Sequence, residues 1–158
     1  MSTTKPIPDG FHTMTPHLVC RDAAKAIAFY EKAFGAKELG RSLMPDGKSI
    51  MHAMLQFGDS RLMLADEFPQ WKSLGPLAIG GTAVTLHLYV EDTDQVYKRA
   101  IDAGATSKMA PTDMFWGDRY AQVVDPSGHM WAIATHIKDV SPAEMEKAAR
   151  EAMAKMGG

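Results

Sequence analysis

The sequence predicts an α+β fold in which one strand–helix–hairpin unit occurs twice. The first observation is an internal repeat, because residues 15–22 are echoed by residues 85–92 with Thr, His, Leu and Asp in register. The second is an apolar helical stripe that follows each copy of the repeat. The third is a pair of short strand-like segments joined by a turn sequence after each helix. Two units with the same order of elements predict one domain built from two modules.

Each copy of the repeat ends at an aspartate that can cap a helix. Asp22 and Asp92 can accept hydrogen bonds from the first free N–H groups of the helix that follows. Apolar residues at three- and four-residue spacings predict a helix over residues 23–34, and Gly35 is suited to end it. The same pattern predicts a second helix over residues 93–103.

Two hairpins and a C-terminal helix complete the prediction. Residues 49–57 and 61–65 flank a Gly-Asp turn, and residues 119–124 and 129–136 flank an Asp-Pro-Ser-Gly turn. A capping box with proline at the first helical position predicts a helix over residues 142–156.

Composition narrows the class of protein. The length of 158 residues fits one domain, and the formal charge of -2 gives no basic surface for nucleic acid or an anionic membrane. Cys20 is the only cysteine, which excludes an intrachain disulfide and a thiolate-rich zinc site and fits a reducing compartment. Because no signal-like segment or long apolar run is present, we expect a cytoplasmic protein without a membrane anchor.

Several motifs resemble the vicinal oxygen chelate (VOC) superfamily, which includes glyoxalase I, extradiol dioxygenases, and the fosfomycin and bleomycin resistance proteins. Residues 26–36 are similar to the family's Phe-Tyr helix that ends in Gly, and residues 125–131 are similar to its penultimate turn. Within the superfamily, residues 50–53, 64–67 and 115–120 resemble the PhnB-like subgroup of the glyoxalase/bleomycin resistance proteins.

The resemblance implies two βαβββ modules whose curled mixed sheets surround a cleft for a small molecule, with an added C-terminal helix. It also implies a homodimer, and leaves open whether the cleft lies within one chain or across two. A single VOC domain is expected over residues 13–137. The expected parts are an N-terminal arm (1–12), module one (13–67), a linker (68–82), module two (83–137) and the C-terminal helix (138–158).

Enzymes of this superfamily hold a divalent metal with His and Glu residues from the first and last strands of each module. By this resemblance the first-strand ligand positions fall on Thr15 and Thr85. His17 and His87 lie two residues onward, on the same face of each strand, and are the candidate ligands. Glu67, beside Asp66, is a nearby carboxylate in module one. The family's last-strand Glu is replaced by Ala132, so the usual set of four ligands is incomplete. No cofactor is certain, and one divalent metal ion is the candidate. The alternative is that His17 and His87 are ordinary strand residues without a bound metal.

Other residues are candidates for binding or proton transfer. His52 and His129 could act as a general base because imidazole ionises near neutral pH. The rings of Trp116 and Tyr120, the guanidinium of Arg119 and flexible methionines could line a cavity for an aromatic ligand. The alternative is structural, with the arginine paired to Asp118 or Asp125. The candidate ligand contacts are Trp116, Arg119, Tyr120, Met54 and His52.

Two functions follow, and both require the repeats to bring residues 15, 17, 85 and 87 to a shared inner surface. The first is a small-molecule-binding protein of the glyoxalase/bleomycin resistance type, which holds an apolar or aromatic ligand unchanged. The loss of the carboxylate at Ala132 favours it. The second is a metal-dependent glyoxalase- or dioxygenase-type enzyme that acts on a substrate with neighbouring oxygens, favoured by the paired histidines. A metal-free enzyme with a histidine base is a third interpretation.

Overall fold

The computed structural model describes residues 4–157 and contains the predicted unit twice. Module one consists of β1 (His17–Cys20), α1 (Ala23–Phe34), β2 (Lys37–Leu43), β3 (Ile50–Phe57) and β4 (Ser60–Asp66). The linker contains a 3-10 turn (Pro69–Trp71) and the short helix α2 (Pro76–Ile79). Module two consists of β5 (Thr85–Tyr89), α3 (Thr93–Asp102), β6 (Thr106–Asp113), β7 (Asp118–Val124) and β8 (Met130–His136). Helix α4 (Pro142–Met156) follows.

The two sheets have the same topology. Their strand orders are β1-β4-β3-β2 and β5-β8-β7-β6. The first and last strands of each module pair in parallel, and the other pairs are antiparallel. Asp22 accepts a bond from the Lys25 backbone N–H and Asp92 accepts one from that of Gln95, each at 3.0 Å. The predicted α+β fold and both helix caps are confirmed.

Strands β2 and β6 were absent from the prediction based on the residues, although the family resemblance implied a strand at each place. Both are edge strands with irregular register, and most of their residues are exposed. A strand that buries neither face needs no alternation of apolar and polar residues, so its sequence carries no period of two.

A buried carboxylate joins the two modules. Asp125 is 4% exposed and accepts bonds from the Tyr30 hydroxyl at 2.6 Å and the Trp131 indole N–H at 2.8 Å. The backbone N–H groups of Ser127 and His129 donate to its other oxygen at 2.9 and 3.0 Å. Tyr30 belongs to module one, so this carboxylate fixes how α1 packs against the last hairpin of module two.

Aromatic rings surround this junction and complete the shared core. The Trp131 ring lies 5.2 Å from that of Tyr30, 4.8 Å from that of Phe34 and 5.6 Å from that of Phe57, measured between centroids. Rings from both modules therefore form one cluster.

Helix α4 lies outside this core. Ser141 and Glu144 form the predicted capping box, but no residue of the helix is buried among those described. Within residues 4–157, every helix is too short or too polar to cross a lipid bilayer.

We expect Asp125→Ala to lower the free energy of unfolding by about 3 kcal/mol, because four buried donors lose their acceptor. Tyr30→Phe removes one of these bonds and should cost about 1 to 2 kcal/mol. Urea unfolding monitored by circular dichroism measures both. The exposed Asp59→Ala change is the control and should stay within about 0.5 kcal/mol of the wild type. Equal stability of Asp125→Ala and the control would contradict the assigned role.

Candidate functional site

Each sheet covers the core with one face and leaves the other face open. In β3, Ala53 and Leu55 are buried against the core, whereas His52 and Met54 alternate with them and stay partly exposed. In β5, Leu86 and Leu88 pack against the core, and the alternating residues Thr85, His87 and Tyr89 are exposed. The open faces are therefore the surfaces on which functional side chains can meet a ligand.

The open face of module one carries the two histidines His17 and His52. Their ring centroids are 6.0 Å apart. Burial and the charge of His52 lower the pKa of His17, which favours the neutral ring as a hydrogen-bond partner near pH 7. A depression of about 440 Å³ adjoins them and is lined in part by His52, Met54, Arg41 and Arg61.

The open face of module two carries four rings that contact one another in sequence. The Trp116 and Tyr120 centroids are 5.4 Å apart, those of Tyr120 and His87 are 6.0 Å apart, and those of His87 and Tyr89 are 4.7 Å apart. Gln122 donates to the Tyr120 hydroxyl at 2.8 Å and orients it. We call these four rings the aromatic wall.

A groove of about 540 Å³ lies at the seam between the modules and adjoins this wall. Its lining includes Thr15, Thr85 and His87, which are three of the four positions expected to share an inner surface. The fourth, His17, is absent from the lining and instead lies beside His52. A volume of this size is in the range of small-molecule sites, about 300 to 1,000 Å³.

The N-terminal arm contributes to the rim of the groove. The Arg61 guanidinium lies 4.5 Å from the centroid of the Phe11 ring and donates to the Asp9 carbonyl oxygen at 3.2 Å. His12 and Met14 then line the groove itself. The arm is therefore placed against the site by contacts that sequence analysis did not predict.

Arg119 does not share a face with the aromatic wall, contrary to the expected ligand contact. It alternates with Tyr120 along β7, and its guanidinium donates to both oxygens of Asp94 on α3 at 2.6 and 2.8 Å. A third bond reaches Asp113 at 3.0 Å. These two carboxylates raise the pKa of Arg119, and they replace Asp118 and Asp125, the partners considered from the sequence.

His129 also lies away from the open faces. Its Nε2 is 2.9 Å from the carbonyl oxygen of Val19, and its backbone N–H donates to Asp125. The imidazole therefore links the modules, and this position does not favour a role as a general base. Burial raises the pKa of the single thiol, Cys20, to about 12, so it has little thiolate for nucleophilic chemistry.

The candidate carboxylate ligands are bonded to the backbone. Asp66 accepts from the N–H groups of Ala23 and Ile50, each at 2.7 Å. Glu67 accepts from the Gly75 N–H at 2.9 Å and lies 3.7 Å from Arg21. These bonds hold the start of α1, the start of β3 and the linker, so neither side chain is directed at the histidines by its contacts.

The candidate metal-ligating side chains within one chain are not arranged to bind a divalent metal. Across residues 4–157, no cluster of three or more His, Cys, Asp or Glu side chains is arranged to hold an ion. His17 and His87 lie on different sheets with different neighbours, and Ala132, paired with His87 in register, is buried. The expected set of His17, His87 and Glu67 therefore is not brought together.

Three residues of this region, Tyr89, Asp118 and His136, are not among the site residues predicted from the sequence. Tyr89 follows His87 by two positions, so the alternation of β5 could have placed it on the same face. Asp118 and His136 pair with each other at 2.9 Å across β7 and β8, which only the register of the sheet reveals.

Comparison with known proteins identifies the superfamily to which this chain belongs. The model of the Glyoxalase/Bleomycin resistance protein/Dioxygenase superfamily matches residues 11–133, and the chain belongs to this superfamily. An uncharacterized protein of Mycobacterium bovis is 48% identical over 138 residues, which cover 85% of this chain and 90% of the relative.

Two solved structures are similar over most of the chain. A gene product of Arabidopsis thaliana is 26% identical with a TM-score of 0.64, covering 78% of this chain and 98% of its own. TioX from Micromonospora sp. ML1 is 29% identical with a TM-score of 0.63, covering 80% of this chain and 100% of its own. The superfamily expected from the motifs is therefore confirmed.

We expect no stoichiometric metal site that depends on the candidate ligands, because their carboxylates are engaged and the fourth ligand is an alanine. Isothermal titration of metal-stripped protein with Zn²⁺, Ni²⁺, Mn²⁺ and Fe²⁺ measures this. The His17→Ala/His87→Ala double variant is the comparison, and His12→Ala serves as a control. One ion bound per chain by the wild type and lost in the double variant would show this expectation to be wrong.

Proposed function

We propose that this chain is a small-molecule-binding protein that holds an apolar or aromatic ligand against the aromatic wall and the adjoining groove. The observation that carries the proposal is the contact series of Trp116, Tyr120, His87 and Tyr89 on one open face. Ring faces offer a large apolar area and favour stacking with a planar molecule. The wall thus supplies recognition without a bound ion.

The remaining lining suits the same class of ligand. The groove is lined largely by apolar groups, including Met14, Val84 and Leu88, with few polar atoms. Apolar surface with a few oriented polar groups is typical of small-molecule sites. On module one, Met54 and His52 line a more polar depression that also contains Arg41 and Arg61.

A metal-free enzyme is the second candidate, favoured by the His17 and His52 pair. Their rings lie 6.0 Å apart on an open face, and the lowered pKa of His17 leaves a neutral imidazole able to accept a proton near pH 7. The metal-dependent enzyme has less support, because Asp66 and Glu67 are bonded to backbone N–H groups.

A homodimer is part of the proposal. Both open faces expose large apolar residues, among them Leu39 at 46%, Met51 at 49% and Tyr89 at 66% exposure. Exposed apolar surface of this kind favours contact with a second protein surface. A second copy of the chain would cover both faces and enclose the ligand between them.

Two finer assignments rest on the sequence. Residues 50–53, 64–67 and 115–120 support placement in the PhnB-like subgroup. A cytoplasmic location is supported by the single cysteine, which leaves no disulfide to form within the chain.

We expect the planar probes ethidium, a permanent cation, and Nile red, which is neutral, to bind at the wall. Trp116→Leu should weaken binding of the responding probe about tenfold, because stacking on an aromatic face contributes on the order of 1 kcal/mol or more. Fluorescence titration measures the dissociation constants. Trp71→Leu removes an exposed indole in the linker and is the matched control. Equal losses in both variants, or no binding of either probe, would contradict the proposal.

We expect light scattering to give a mass near twice the 17.3 kDa of one chain. Leu39→Lys combined with Val84→Lys replaces one exposed apolar side chain of each module with a charge and should shift the protein toward monomers. Lys48→Glu, in the exposed loop between β2 and β3, should leave the mass unchanged. A monomeric wild type at micromolar concentration would argue against a dimer.

A further inference from the structure

A buried carboxylate lies beside the aromatic wall and joins its two ends. Asp118 is 3% exposed, and its Oδ2 accepts one bond from the Trp116 indole N–H and one from the Tyr89 hydroxyl, each at 3.1 Å. We propose that Asp118 is the positioning residue of the ligand face, holding the rings of Trp116 and Tyr89 in the arrangement that a planar ligand contacts. This inference rests on the binding function proposed above.

The two rings come from different elements, so their arrangement depends on a shared partner. Trp116 lies in the loop between β6 and β7, and Tyr89 lies on the edge strand β5 with 66% of its surface exposed. The contacts through Tyr120 and His87 connect the same two rings on the other side. Asp118 therefore links the first and last of the four rings and makes their series of contacts continuous, an arrangement we call the ring circuit.

A fixed circuit has a direct consequence for binding. An exposed side chain that must be ordered when a ligand arrives reduces affinity by its lost rotational freedom. Rings that Asp118 already holds avoid that loss. Their spacing also selects the thickness and shape of the molecule that fits, so the carboxylate sets specificity without touching the ligand.

His136 fixes the other oxygen of the carboxylate. Its Nδ1 lies 2.9 Å from Asp118 Oδ1, and its Nε2 lies 2.9 Å from Asp139 Oδ1. The imidazole thus bridges β7 to the segment that leads into α4. Through this bridge, the protonation of His136 can affect how firmly Asp118 is held.

The charged groups that face this imidazole are Asp139 and Asp118, and Tyr89 of β5 reaches it only through Asp118. Both carboxylates, Asp139 first, raise the pKa of His136 above its usual 6.5. A protonated ring has two N–H donors and serves both carboxylates, whereas a neutral ring has one. The bridge is therefore complete below the raised pKa and loses one bond as the pH rises through it.

The test follows Trp116 directly, in a Trp71→Phe parent where the only other indole, Trp131, is buried. Asp118→Leu removes the acceptor, so acrylamide quenching of Trp116 should increase and ethidium affinity should fall about tenfold. Asp118→Asn keeps one acceptor oxygen and should restore part of both signals. Asp113→Leu, a carboxylate of β6 that pairs with Arg119, is the control and should change neither.

A second measurement leaves Asp118 in place. In the parent protein, quenching of Trp116 should rise as the pH is increased above the usual histidine pKa of 6.5 and His136 loses its proton. His136→Gln should flatten this profile. If Asp118 served only the stability of the fold, the profiles of the parent and of His136→Gln would be the same. This comparison decides the question if Asp118→Leu fails to fold.

The outcomes separate the two proposals. Equal quenching in the parent and Asp118→Leu, or a pH profile that survives His136→Gln, would overturn the positioning role. A released Trp116 with unchanged ethidium affinity would overturn the claim that the held arrangement is the one that a ligand contacts. A released Trp116 in a protein that binds no planar probe would instead remove the proposed function and leave the positioning of the ring intact.

Discussion

The buried carboxylate of Asp125 ties the two modules of this protein into one body. Its four donors come from Tyr30 of module one and from Ser127, His129 and Trp131 of module two. A charge in an apolar interior is tolerated only when its hydrogen bonds are satisfied, so the surrounding residues have little freedom to shift. Because the aromatic core and the seam groove both border this junction, the relative placement of the open faces depends on it.

The two modules share a backbone and differ in the polar groups that stabilise it. In module one, Asp66 receives the N–H groups of Ala23 and Ile50. In module two, the hydroxyl of Thr135 takes the corresponding place and receives the N–H of Thr93 at 3.0 Å. Asp66 therefore completes the start of a helix and of a strand, and its oxygens do not face the cavity as free ligands. The duplication therefore preserves the fold and leaves each open face free to carry its own chemistry.

Charged groups near the site are mostly engaged with other protein groups, which favours recognition by ring faces. Glu67 holds the linker, Arg119 holds α3 and β6, and Asp118 holds two rings of the wall. What the open faces offer a ligand is aromatic area, methionine side chains and the neutral imidazole of His17. This inventory supports the proposed binding function, whereas membership of the superfamily by itself does not distinguish a binding protein from an enzyme.

The sequence by itself determined the duplicated unit, the caps at Asp22 and Asp92 and the superfamily, because these depend on local spacing and short motifs. The tertiary structure alone decided which side chains meet. Alternation along β7 puts Arg119 and Tyr120 on opposite faces, but only the packing of α3 on the sheet decided that Arg119 lies on the helix side. The partners of Asp118 lie on separate elements, so no pattern along the chain could have revealed them.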